Sequence, residues 1–151
     1  MTAFALILGY VEAIVPINIG IPGVKLGIAN LAVLLMLEYG GIFYAGALNI
    51  LRVTISGMLF ASPSALIYSL CGAISSFLIM AILWKLKFNT VTISAVGGVF
   101  HNIGQIAAAI LVLGNVKIVY FWLPILILSG LVCGIVVGIV ADIIKKRVLK
   151  K

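Results

Sequence analysis

Seven side chains in this sequence are polar or charged where their neighbours are apolar: Glu12, Lys25, Asn30, Arg52, His101, Asn102 and Gln105. Arg52 and Lys25 are cations, and Glu12 is the acid expected on their side of the membrane, near the external end of the first span. One carboxylate cannot neutralise two cations, and the surplus positive charge suits an anionic ligand such as a carboxylate, phosphate or diphosphate. Asn30, His101 and Gln105 would add hydrogen bonds. His101 and Gln105 are four residues apart and share a helix face, whereas Asn102 points elsewhere. Asn49, one turn from Arg52, is a candidate extension of the set. Each residue also has a plainer role open to it. Arg52 can pair internally with Glu12, His101 can bond a neighbouring carbonyl, and Lys25 can snorkel to an interface. No second histidine or adjacent acid offers a metal site, so neither metal nor cofactor is expected.

The elements that must position these residues lie in a membrane. Of 151 residues, 65% are hydrophobic and 9% are Asp, Glu, Lys or Arg. A mean hydropathy of +1.40 excludes a water-soluble globule, which needs a polar surface. The length fits a single transmembrane domain over residues 1–151. Five of the ten basic residues crowd the last seven positions: Lys145, Lys146, Arg147, Lys150 and Lys151. They sit at a helix end without interleaved aromatics, so anionic lipid and topology explain them better than nucleic acid. Cys71 and Cys133 lie in apolar runs with no metal or redox spacing. The first segment lacks a basic leader and a cleavage site, and is expected to be a membrane helix.

The pattern predicts an all-α integral membrane protein, a compact bundle of six transmembrane helices. The spans run over about 2–15, 24–39, 42–60, 63–86, 91–113 and 116–144, with Ser62 capping the fourth, Pro63 opening it, and Pro124 marking a kink or a late start in the sixth. The first two are short for a bilayer, so they either pack inside the bundle or the joining loop dips into the membrane. Lys85, Lys87 and the basic tail put both termini on the cytoplasmic side of the plasma membrane. Glu38 and Asp142 then fall at cytoplasmic ends and are expected to be solvated. The membrane polarity gathers in the external half. Gly20-Ile21-Pro22-Gly23 leads into a helix start beside Lys25, and free amides at such a start favour anions.

Two rows of small residues permit close helix contacts. Ala5, Gly9 and Ala13 mark the first span, and Gly130, Gly134 and Gly138 the sixth. Either row can serve packing within the molecule or docking of another membrane subunit; the glycine row can also serve self-association.

Gly20-Ile21-Pro22-Gly23-Val24-Lys25-Leu26-Gly27-Ile28-Ala29-Asn30 and Phe100-His101-Asn102-Ile103-Gly104-Gln105 resemble the Gx transporter family, whose members are also labelled heptaprenyl diphosphate synthase component I. Leu51-Arg52 and Phe60-Ala61-Ser62-Pro63 fit it too. That family is similar to the substrate-binding S components of energy-coupling-factor (ECF) transporters. The resemblance implies a six-helix S-component-like bundle that holds a nutrient near the outer face. It implies docking on a transmembrane coupling subunit and ATPases, with Ala5, Gly9 and Ala13 as the matching docking positions.

The synthase label meets a chemical obstacle. Prenyl chain elongation holds magnesium and diphosphate with aspartate-rich clusters, yet this chain has three acids, none adjacent. The expectation is therefore not an enzyme but a binding subunit, with a small anionic solute and membrane lipid as partners and no nucleic acid. Tyr10, Phe60, Tyr68 and Phe100 are candidates for the apolar wall of its pocket. The alternative is a non-catalytic accessory subunit for isoprenoid diphosphate synthesis or for a membrane redox complex.

Overall fold

The structure, a computed structural model, describes Ile7, Leu8, Tyr10 and residues 27–114 and 117–149. Four long helices account for nearly all of the described residues: α1 (Ile28–Phe60), α2 (Pro63–Lys85), α3 (Thr90–Leu113) and α4 (Lys117–Leu149). Each is long and apolar enough to cross a membrane, and the chain is a multi-pass membrane protein. The expected count of six is not matched. Most of the first expected span lies outside the described residues, and the second and third expected spans are joined in the single run α1.

That run is not straight. Gly41 interrupts it with φ 82 and ψ 178, a backbone state open essentially to glycine alone. In a continuous helix, residues 22 positions apart would be separated by about 33 Å. Yet Arg52 reaches Asn30, 22 residues away, with 3.4 Å between Nη2 and Oδ1. Ala32 and Leu48 likewise share one apolar cluster, joined by Leu8. The chain therefore reverses at Gly41, and α1 is a hairpin of two helical arms, 28–40 and 42–60.

The first arm is the centre of the bundle. Ala32, Val33, Leu34 and Leu37 are fully buried, and Ala29, Leu31 and Leu35 nearly so. Such all-round apolarity is the pattern of a helix enclosed by others. Its span of about 20 Å falls short of a ~30 Å hydrocarbon core, a shortfall that matters little for a segment sheathed by protein. Leu34 and Leu37 pack with Ala45, Met80, Ile93, Val137 and Ala141, so all four helices contribute to one core.

Local chemistry sets the joints. Ser62 caps α2 by accepting from the Ala65 amide, with Pro63 at the first turn, as its sequence predicts. Asn89 caps α3 by accepting from the Thr92 amide at 2.7 Å. Gly114 ends α3 in the left-handed region at φ 63. Pro124 lies within α4 rather than starting it.

The glycine row on α4 is spent inside the molecule. A Cβ on Gly130 would lie 2.6 Å from the Gly98 carbonyl oxygen, one on Gly134 2.6 Å from that of Ser94, and one on Gly138 2.7 Å from the Val91 Cα. These contacts seat α4 against α3 backbone to backbone, which removes the row as a surface for self-association. The outward faces are apolar, with Phe43, Met58, Leu78 and Leu111 more than half exposed, as a lipid-facing surface requires.

Candidate functional site

The hairpin at Gly41 builds the site. By reversing the chain it sets Asn30 of the first arm opposite Asn49 and Arg52 of the second. One guanidinium nitrogen of Arg52, Nη2, donates to Asn49 Oδ1 at 3.1 Å and to Asn30 Oδ1 at 3.4 Å. Asn49 is buried and its amide donates onward to the Ala73 carbonyl of α2 at 2.9 Å. The Asn30 amide faces the sulfur of Met80 at 3.8 Å. Two asparagine carbonyls thus help to hold and aim the guanidinium.

The second half of the site approaches through α2. Gly72, next to Ala73, has no side chain, and α3 comes in against it. A Cβ there would stand 2.7 Å from both the His101 carbonyl oxygen and Gln105 Cγ, and 3.2 Å from the His101 ring. Gly104 makes the reciprocal approach, with Gly72 Cα 3.0 Å from where its Cβ would be. Ser75 fastens the same crossing by donating to the Phe100 carbonyl at 2.8 Å. His101 and Gln105 therefore lie one turn apart at the α2–α3 crossing, beside the residue that bonds Asn49.

Four of the six residues named from sequence as ligand-binding, Asn30, Arg52, His101 and Gln105, come to one level of the bundle. Asn49, a candidate extension in sequence, is the link between them. This level is about 16 Å along the helix from Gly41 and about 15 Å from Ser62, midway along the second arm of α1. Asn102 turns the other way, as its helical position predicts: it is buried and donates to the Leu126 carbonyl of α4, where Ser129 also donates. Lys25 and Glu12 lie outside the described residues, as do Ala5, Gly9 and Ala13. Of the aromatic candidates, Tyr10 and Phe100 are more than a third exposed.

At the opposite end from Ser62 the structure corrects one expectation. Glu38 is not solvated: its side chain is 10% exposed, pairs with Lys145 at 2.7 Å and accepts from the Thr90 hydroxyl at 2.9 Å. Three helices are thereby tied at one point. No local spacing announces this, since Lys145 lies 107 residues away. Asp142 pairs with Lys146 on the same helix at 2.6 Å, an exposed contact of little energetic weight.

No significant match was found among curated proteins or among solved structures. A family model described as heptaprenyl diphosphate synthase component I matches residues 1–144. The chain belongs to that family.

Proposed function

We propose that this member of the heptaprenyl diphosphate synthase component I family is a membrane-embedded binding subunit. It captures a small anion at the level of Arg52 and delivers it to an energised transporter of the ECF type. One observation carries the reading: Asn30, Asn49 and Arg52 meet across the hairpin at the level where His101 and Gln105 cross α2, a polar cluster inside a bundle of apolar helices. A cation within the membrane costs several kcal/mol unless compensated, and a bound ligand of opposite sign would contribute to that compensation. Asn30, His101 and Gln105 would fix the ligand's orientation, and Lys25 and Glu12 would complete its polar surround from the first spans. The chain carries no ATPase motif, so transport would need a coupling subunit and ATPases, with Ala5, Gly9 and Ala13 as the docking row. The complete S-component-like bundle would have six spans: the hairpin arms of α1, α2, α3, α4 and the first span.

The family's name favours a second reading: a non-catalytic accessory subunit beside a prenyl diphosphate synthase. A catalytic role fits poorly with three acids in the whole chain. Purification from native membranes in mild detergent separates the two. Mass spectrometry of the eluate should identify a small anion together with a coupling subunit and ATPases. A reproducibly empty protein that co-purifies with a soluble prenyl synthase would overturn the transport reading in favour of the accessory one.

A further inference from the structure

A second polar region lies at the Glu38 end of the bundle, remote from Arg52. A groove of about 490 Å³ opens there between the first arm of α1, the end of α2 with the joint after it, and the end of α4, lined by Glu38, Trp84, Lys85, Lys87, Phe88 and Lys145. Three lysines face one carboxylate, and that carboxylate is already engaged by Lys145 and Thr90. Lys85 and Lys87 are exposed and have no ion-pair partner among the described residues.

The backbone at this point is specialised. α2 ends in a turn in which the Phe88 amide donates to the Leu83 carbonyl at 3.1 Å and the Lys87 amide to the Trp84 carbonyl at 3.0 Å. This six-to-one and five-to-two pairing calls for a left-handed residue at the position of Lys87, usually glycine. Lys87 occupies it at φ 60, the one non-glycine residue with positive φ among the described residues. A lysine is thus held where glycine would fit with less strain, and it lines the groove. Beside it, Ile82, Leu86 and Phe88 are at least half exposed on the apolar flank.

We infer that this groove is a binding site for a phosphate group, with Lys85 and Lys87 as its cations and Trp84 and Phe88 as its interfacial wall. The adjoining apolar side chains fit the acyl chains of an anionic phospholipid, whose headgroup the lysines would hold. Basic pockets between membrane helices take such headgroups, and aromatic side chains favour the same depth. The site is independent of the Arg52 level and stands whichever reading of that level holds.

Native mass spectrometry of the full chain in detergent, titrated with phosphatidylglycerol or phosphatidylcholine, tests it. Each lysine near an anionic headgroup favours it about fivefold, so Lys85→Gln/Lys87→Gln should lower phosphatidylglycerol binding about 25-fold. Lys146→Gln/Arg147→Gln, with the same charge loss outside the groove, should change it far less. Lys87→Gly removes the cation and the backbone strain together, so it should weaken binding while keeping or raising the unfolding temperature. Excess inorganic phosphate distinguishes the sources: displacement of the lipid assigns the site to soluble phosphate, and retention assigns it to the amphiphile. Equal binding of the two lipids by the native chain, or equal losses in the two double variants, would overturn the inference.

Discussion

Asn49 is the residue on which the candidate site turns, because it touches Arg52 through its carbonyl and α2 through its amide. Asn49→Ala removes both bonds while leaving the apolar packing around it intact. Hydrogen bonds between membrane helices contribute about 0.6 kcal/mol on average and up to about 1.7. We expect a loss of about 1 kcal/mol in a denaturant titration of the detergent-solubilised protein; no change would mean that the bonds are not formed. At this scale the sequence was informative where a polar residue stood in an apolar run, as with Arg52 and Asn30, which the structure brings into contact. It was misleading for Glu38, whose position near a helix end suggested water. Its partners, Thr90 and Lys145, come from helices 52 and 107 residues further on, and only the assembled bundle brings them together.

Among the elements, the hairpin α1 decides the geometry. Gly40-Gly41 marked a stop between two spans in the sequence; the structure shows a sharp reversal within one run of helix. Gly41→Ala gives opposite outcomes for the two shapes. In a straight helix, alanine would stabilise by about 1 kcal/mol over glycine. At φ 82 and ψ 178 the substitution instead costs on the order of 1–3 kcal/mol, although open space surrounds the position. A lower unfolding midpoint for Gly41→Ala is the expected result, and a higher one would contradict the hairpin. The joints at Ser62, Asn89 and Gly114 were legible because capping is local chemistry. The seat of the Gly130, Gly134 and Gly138 row was not, since helix spacing shows that a face is smooth but not what lies against it. Its partner surface, Val91, Ser94 and Gly98, is a different helix altogether.

The molecule as a whole has a polar middle and a basic end. Lys85, Lys87, Lys145, Lys146 and Arg147 gather at the end that also carries the Gly41 reversal, through the Glu38 link. Positive charge retained on the cytoplasmic side predicts that this end faces inward. In a Cys71→Ser/Cys133→Ser background, a cysteine at Lys87 should react with a membrane-impermeant maleimide only in inside-out vesicles. One at Gly114 should react only in right-side-out vesicles. The reverse pattern would invert the proposed orientation and place the lysine groove outside. Composition alone made the membrane assignment, because no arrangement of so few polar residues covers a soluble protein. The number of membrane crossings was less legible, since it depends on whether a glycine interrupts a helix or turns it back.

The central proposal is that the level of Arg52 binds an anion, and retention of a ligand by the purified protein tests it most directly. Small molecules bound per protein should be measured by native mass spectrometry for the native chain, for Arg52→Gln and for Asn102→Ala, which alters a buried polar contact on the other face of α3. The account predicts an anion retained by the native chain and by Asn102→Ala but lost from a folded Arg52→Gln. Equal occupancy in Arg52→Gln, or a bound cation, would contradict it.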